Sequence, residues 1–185
     1  MRIIVLLIVV LFTNCYSQRV LNNSSYADEI TSSRIYYVDN NGNDNHPGTQ
    51  THPFKTISKL NGIVLQPGDS VYYIGGQTFY GTLLLDSNDM GTKDKPVVIT
   101  SAGKERATIL SGNYTAITAE KTKNIQFINI TCKGSGRKEG NATNGLAIIN
   151  CNNVTVDSFT ICGYRNAGLM IYCSNYINIL RVKAV

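Results

Sequence analysis

Apolar residues in this chain fall in short runs separated by polar joints rich in asparagine and glycine, and the later runs repeat. KNIQFINITC from Lys123, NNVTVDSFTIC from Asn152 and SNYINILRV from Ser174 recur at intervals of about 22 to 29 residues, the length that one turn of a β-solenoid consumes. Asn124, Asn153 and Asn175 each precede an apolar residue that opens a β-rich run, and Asn153 and Asn175 are 22 positions apart. Upstream of them GLAIINC (145–151) matches GLMIYC (168–173), which sets Cys151 and Cys173 22 apart as well. Two strand-like pieces therefore repeat together, which predicts coils stacked one on the next. Stacked coils place each side chain about 4.8 Å from its copy in the adjacent coil. Asparagine suits a corner in such a stack, because its amide donates to one neighbour, accepts from the other, and tolerates left-handed backbone.

The remaining apolar runs predict strands over 35–38, 79–85, 97–100, 108–110, 125–130, 146–149, 154–159, 169–172 and 177–182, and the segment 66–74 turns through Pro-Gly into another β-rich run. One stretch has a different period. Phe54, Ile57 and Leu60 share one face of a short helix predicted over 54–61 and ended by Gly62, placed to cover the open end of the first coil. A glycine-rich loop, KGSGRKEGNATN, lies between Cys132 and Gly145 and is expected to project from the stack.

Both ends of the chain qualify this picture. Residues 1–17 carry one basic residue, a run of about ten apolar residues and then small or polar ones, the pattern of a secretory signal peptide and too short for a membrane span. Residues 18–33 are polar and without periodicity and read as a flexible lead-in; 34–185 is the β-helical part. The chain stops at Val185 directly after a strand-like run, so the stack is expected to be truncated at its C-terminus. Export permits disulfides, and a Cys151–Cys173 bridge between coils is open, but small apolar packing is the simpler role for Cys132, Cys151, Cys162 and Cys173.

Charge is unevenly spread. Residues 18–115 hold eight Lys/Arg against nine Asp/Glu, whereas 116–185 hold eight against Glu120, Glu139 and Asp157, so the repeats alone carry a net charge of +5. For an exported chain this asymmetry points to an acidic polysaccharide as partner and away from nucleic acid.

YVDNNGNDNHPGTQTHPFKTI, then LQPGDSVYYIGGQTFYGTL, then PVVITSAGKERATILSG resemble the N-terminal part of secreted bacterial right-handed parallel β-helix proteins of the pectate-lyase-like superfamily. The resemblance covers residues 35–185 and implies an all-β, right-handed parallel β-helix with an N-terminal capping helix. It also implies β-elimination on uronate polysaccharides, which needs the substrate carboxylate neutralised by calcium or basic side chains and an Arg, Lys or Tyr to take the adjacent proton. The candidates for substrate contact are Arg137 and Lys138 in the glycine-rich loop, with Tyr164 and Arg165 before Gly168. A glycoside hydrolase needs converging carboxylates, and the three scattered acids beyond residue 115 do not supply them. Non-catalytic carbohydrate binding or an adhesive structural role is the other reading. In VDNNGNDN, Asp39, Asn41, Asn43 and Asp44 echo the opening of a calcium loop but lack its distal Glu, and Asx turns account for the same residues.

Overall fold

The computed structural model describes residues 32–185, so the leader and most of the lead-in read from the sequence lie outside the described residues. Each repeat folds as one turn of three short strands. After β1 (Ile35–Val38) and the helix α1 (Ile57–Leu60), the first turn is β2 (Ser70–Ile74), β3 (Thr78–Tyr80) and β4 (Leu83–Leu85). The next is β5 (Val97–Ala102), β6 (Ala107–Gly112) and β7 (Ile117–Glu120). Then come β8 (Lys123–Ile128), β9 (Ile130–Gly134) and β10 (Asn144–Ile149), followed by β11 (Asn152–Asp157), β12 (Thr160–Cys162) and β13 (Ala167–Tyr172). β14 (Asn175–Leu180) and β15 (Lys183–Ala184) begin one more turn.

Every third strand pairs in parallel with its counterpart one turn away, giving sheets of order β1-β2-β5-β8-β11-β14, β3-β6-β9-β12-β15 and β4-β7-β10-β13. This is a parallel β-helix. Inward-facing positions line up into columns: Tyr36, Val71, Ile99, Phe127 and Val156 in the first sheet, and Phe79, Ile109, Cys132 and Ile161 in the second. Leu83, Ile117 and Leu146 do the same in the third. All of these are buried. The period-2 alternation of the strands thus sets one face of each into a continuous apolar core, with burial of each large side chain stabilising the fold by about 1.5–3 kcal/mol.

The corners are made by left-handed residues that recur in register. Lys121, Asn150 and Cys173 have φ of 55°, 53° and 46°; Asn124, Asn153 and Tyr176 have 55°, 54° and 54°; Asn129, Ser158 and Arg181 have 57°, 57° and 50°. These corners correct the repeat length. Asn175 lies opposite Asn152, and Tyr176 occupies the place equivalent to Asn153, so the last coil is offset by 23 residues and not 22. Cys173 likewise takes the corner place of Asn150, while Cys151 faces Ser174, and all four described thiols are free. The ladder expected of the asparagines runs through two coils: Asn153 Nδ2 donates to Asn124 Oδ1 (2.7 Å), and Asn124 Nδ2 donates to the Gly91 carbonyl (2.8 Å).

The capping helix is present but shorter than its apolar spacing suggests. Phe54 exchanges backbone bonds with the edge of β1, its N–H donating to Tyr37 O (2.9 Å) and its carbonyl accepting from Asp39 N (2.9 Å). Strand pairing therefore holds it extended, and the helix starts after Thr56, whose hydroxyl accepts from Lys59 N (3.1 Å) as an N-cap. Two asparagines finish the ends of the other sheets. Asn61 donates to Thr82 O (2.9 Å) and accepts from Leu84 N (3.0 Å), doing for β4 what a neighbouring strand would do. Asn40 Nδ2 donates to Thr78 O (3.1 Å) at the edge of β3. Among the described residues no helix is long and apolar enough to cross a membrane.

Candidate functional site

The loops that leave the second sheet and enter the third gather at one corner of the stack. They exit through Gly112, Gly134 and Gly163, which lie above one another. A Cβ on Gly134 would sit 2.5 Å from the Gly163 carbonyl oxygen, and one on Gly163 2.7 Å from the Gly134 oxygen. Glycine is required where two backbones approach this closely. Beyond this column the 135–143 loop is pinned from inside by Asn141, which is fully buried. Its Nδ2 donates to Gly112 O (2.7 Å) and its Oδ1 accepts from Thr143 N (3.0 Å). Ser135 donates to Asn113 of the preceding coil, and Asn166 of the following coil donates to Thr143 O (3.2 Å) and Asn144 Oδ1 (2.8 Å). Three successive coils are thereby tied into one surface, and the loop is a braced edge.

Arg137 and Lys138 are exposed on this loop and Arg165 on the adjacent turn. Arg137 Nε donates to the Tyr164 carbonyl (3.1 Å), which joins the two segments directly. The ion pairs among the described residues are Arg34–Asp69, Lys121–Glu120 and Arg181–Asp157, so Arg137, Lys138 and Arg165 keep their charges unpaired.

Tyr164 departs from its expected surface role. Only 3% of it is exposed, and its hydroxyl meets Ser111 Oγ at 2.8 Å. Ser111 Oγ donates to Tyr114 O (2.7 Å), so the phenol is the donor in that contact. Burial pushes the Tyr164 hydroxyl well above the ordinary tyrosine range. It is a core residue that supports the corner, held in the protonated form that cannot accept a proton. Tyr114, exposed in the turn next to Asn113, is the aromatic ring that this corner offers to solvent; its SGNY context reads in the sequence as an ordinary turn.

The 39–44 loop is held together by its own side chains. Asp39 Oδ1 accepts from Asn41 N (2.8 Å) and Gln77 Nε2 (3.0 Å), and Asn43 Oδ1 accepts from Asn45 N (3.0 Å). Asp44 accepts from Lys55 N (2.8 Å), Thr56 N (3.0 Å) and Thr56 Oγ1 (2.8 Å). Burial works to raise the Asp44 pKa, but these bonds and the nearby Lys59 outweigh it and hold the carboxyl below its ordinary value. Asp39 Oδ1, Asn43 Oδ1 and both Asp44 carboxylate oxygens thus accept from N–H and O–H donors, the bonds of Asx turns and of a brace for the helix N-cap. Among the described residues no three His, Cys, Asp or Glu side chains converge as a metal set.

No protein-family profile and no curated protein matches the sequence. Among solved structures, the native GH136 lacto-N-biosidase from Eubacterium ramulus superposes on 82% of this chain with a TM-score of 0.66 at 18% identity. Its selenomethionine derivative gives 0.64 at 16%. The chain spans about a third of that enzyme, 34% of its length. A rhamnogalacturonan lyase matches 81% of this chain and 56% of its own at a TM-score of 0.48 and 12% identity, too loose a likeness to argue from. What the chain shares with the lacto-N-biosidase at such identity is its fold, the parallel β-helix.

Proposed function

We propose that this chain is the N-terminal part of an exported, polysaccharide-active β-helix protein whose basic corner binds an acidic glycan, with β-elimination on a uronate as the reaction. The observation that carries the reading is the set of unpaired cations, Arg137, Lys138 and Arg165, brought from two successive coils to one braced edge. The leader pattern in residues 1–17 supports export, and the shared fold of a lacto-N-biosidase supports a carbohydrate as the ligand class.

In β-elimination a base removes the proton beside the uronate carboxylate, the electron pair forms a carbon–carbon double bond, and the glycosidic oxygen departs with the next sugar. Positive charge against the carboxylate acidifies that proton. Arg137, Lys138 and Arg165 are suited to that neutralising step. Tyr164 is not suited to the base step, because its phenol is buried and donates to Ser111. That placement favours non-catalytic glycan binding as the second reading.

Retention of the chain on polygalacturonate in affinity electrophoresis tests the proposal. Retention is expected at low salt and should weaken as salt rises. The combined variant Arg137→Ala, Lys138→Ala, Arg165→Ala is expected to migrate as if no glycan were present. Unchanged retention in that variant would refute the site. Ultraviolet absorbance from an unsaturated uronate separates the two readings: a rise supports the lyase, and binding without it supports the binder.

A further inference from the structure

The cap leaves an opening beside the second sheet. Asn40 donates through Nδ2 to the Thr78 carbonyl (3.1 Å) and through its backbone N–H to Gln77 Oε1 (2.9 Å), so the edge of β3 is met by a single amide. An amide satisfies the backbone of an edge strand but brings none of the side chains with which a further strand would cover it. A cavity of about 150 Å³ remains at that place, lined by Asn40, Lys55, Thr56, Ile57, Phe79 and Tyr80. All six belong to the cap and to β3, which β6 flanks on its other side. Ile57 and Phe79, each 1% exposed, close the base, and Tyr80, 74% exposed, stands at the rim. Few polar groups there are uncommitted. Thr56 spends its hydroxyl on Asp44 Oδ2 (2.8 Å) and Lys59 N (3.1 Å), and Asp44 Oδ1 is turned onto the backbone N–H groups of Lys55 and Thr56. Asn40 bonds through its two nitrogens, which leaves Oδ1 as an open acceptor. Lys55 joins no ion pair among the described residues. One acceptor and one cation thus stand beside an apolar base.

We infer that this cavity binds a phenolic acid, a single aromatic ring carrying a carboxylate and a hydroxyl. An apolar space of this size takes one six-membered ring. The count of polar groups decides which ring. A sugar would bring several hydroxyls out of water with only one acceptor and one cation to answer them, and each unanswered group carries a desolvation cost. A phenolic acid brings as many as the site can meet: its carboxylate faces Lys55, and its hydroxyl donates to Asn40 Oδ1. Tyr80 packs its ring against that of the ligand. The inference does not rest on an acidic glycan at the Arg137 corner, which belongs to other coils.

Equilibrium dialysis of the full chain against 4-hydroxybenzoate and, separately, phenol tests this. 4-Hydroxybenzoate is expected to bind several-fold more tightly than phenol, and an excess of galacturonate is expected not to displace it. Tyr80→Ala, a change at an exposed position, should weaken 4-hydroxybenzoate by about tenfold with the melting temperature unchanged. Lys55→Met should bring 4-hydroxybenzoate and phenol to the same affinity. The inference fails if 4-hydroxybenzoate does not bind, if galacturonate displaces it, or if Tyr80→Ala binds it as the natural chain does. A preference for the carboxylate that persists in Lys55→Met also overturns it. Retention on polygalacturonate should be the same in Tyr80→Ala as in the natural chain and reads the basic corner separately, so either site can fail while the other stands.

Discussion

The capped end and the later coils stabilise the same fold by different chemistry. Around β1 and β2, aromatic rings pack in pairs: Tyr36 with Phe54 (5.7 Å between centroids), Tyr37 with Tyr72 (5.4 Å) and Tyr73 with Phe79 (5.0 Å). Carboxylates there are structural. Asp69 is buried and accepts from Arg34 N (2.8 Å), Arg34 Nη2 (2.6 Å) and Gln66 N (2.9 Å); Asp89 accepts from Leu65 N (2.9 Å) and Asp86 N (3.1 Å). In the coils from β8 onward the aromatic pairs give way to left-handed corners and amide ladders, and unpaired cations stand outside. The difference teaches that the capped end uses its buried carboxylates as internal acceptors, whereas the coils hold few acids, with Glu120 and Asp157 paired to Lys121 and Arg181, and leave Arg137, Lys138 and Arg165 exposed without an ion-pair partner among the described residues.

The largest expected effect falls on the cap. Asp69→Ala removes the acceptor for two backbone N–H groups and the Arg34 guanidinium, and is expected to cost about 3 kcal/mol, the low end for breaking a buried pair because 45% of the Arg34 side chain remains in solvent. Chemical denaturation measures it. In the coils, Asn124→Ala loses two amide bonds and replaces a residue that tolerates left-handed backbone with one that does not, at φ 55°, with an expected loss of about 2 kcal/mol. A cost well above that of Asp69→Ala would invert the comparison and make the ladder the main strut.

A smaller effect has the opposite sign. Tyr73 is wholly buried and its hydroxyl has no hydrogen-bond partner among the described residues, so Tyr73→Phe is expected to stabilise the protein by about 1 kcal/mol in thermal unfolding. The smallest is a pH effect on the cap. The folded Asp44 pKa lies below its unfolded value, so its contribution is present above the unfolded carboxylate range and is lost as pH falls through the folded value. Asp44→Asn should flatten the acid limb of a stability-against-pH curve while leaving the limb above neutrality unchanged in slope.

Much of the fold is legible in the sequence because periodicity and apolar columns depend on local alternation, which Ile125 with Phe127 and Val154 with Val156 display openly. β7 is not predicted, since its inward residues are Ile117 and the small Ala119, too weak a pattern to stand out. The run over 79–85 divides at Gly81, with φ 122°, into two strands of different sheets. The last corner falls one place later than the sequence suggests, because an asparagine, Asn175, stands one place before the left-handed residue, Tyr176. At the basic corner, Arg137, Lys138 and Arg165 are recognisable by type and by their glycine-rich surroundings, but Tyr164 is not distinguishable from them without the inward turn that buries it. Asn141 carries no signal of its role as the pin, since its partners are backbone atoms of Gly112 and Thr143.

The side chains of Asn40 and Asn61, placed over the exposed backbones of β3 and β4, have a consequence for self-association. A parallel stack of strands is a template on which further strands can grow, as in fibrils. Here two amides occupy bonding positions that an incoming chain would need, and the 48–54 segment occupies those of β1. Polymerisation of one molecule onto another is therefore blocked at this face, and a chain with both asparagines replaced by alanine should form higher-order species that the natural sequence resists.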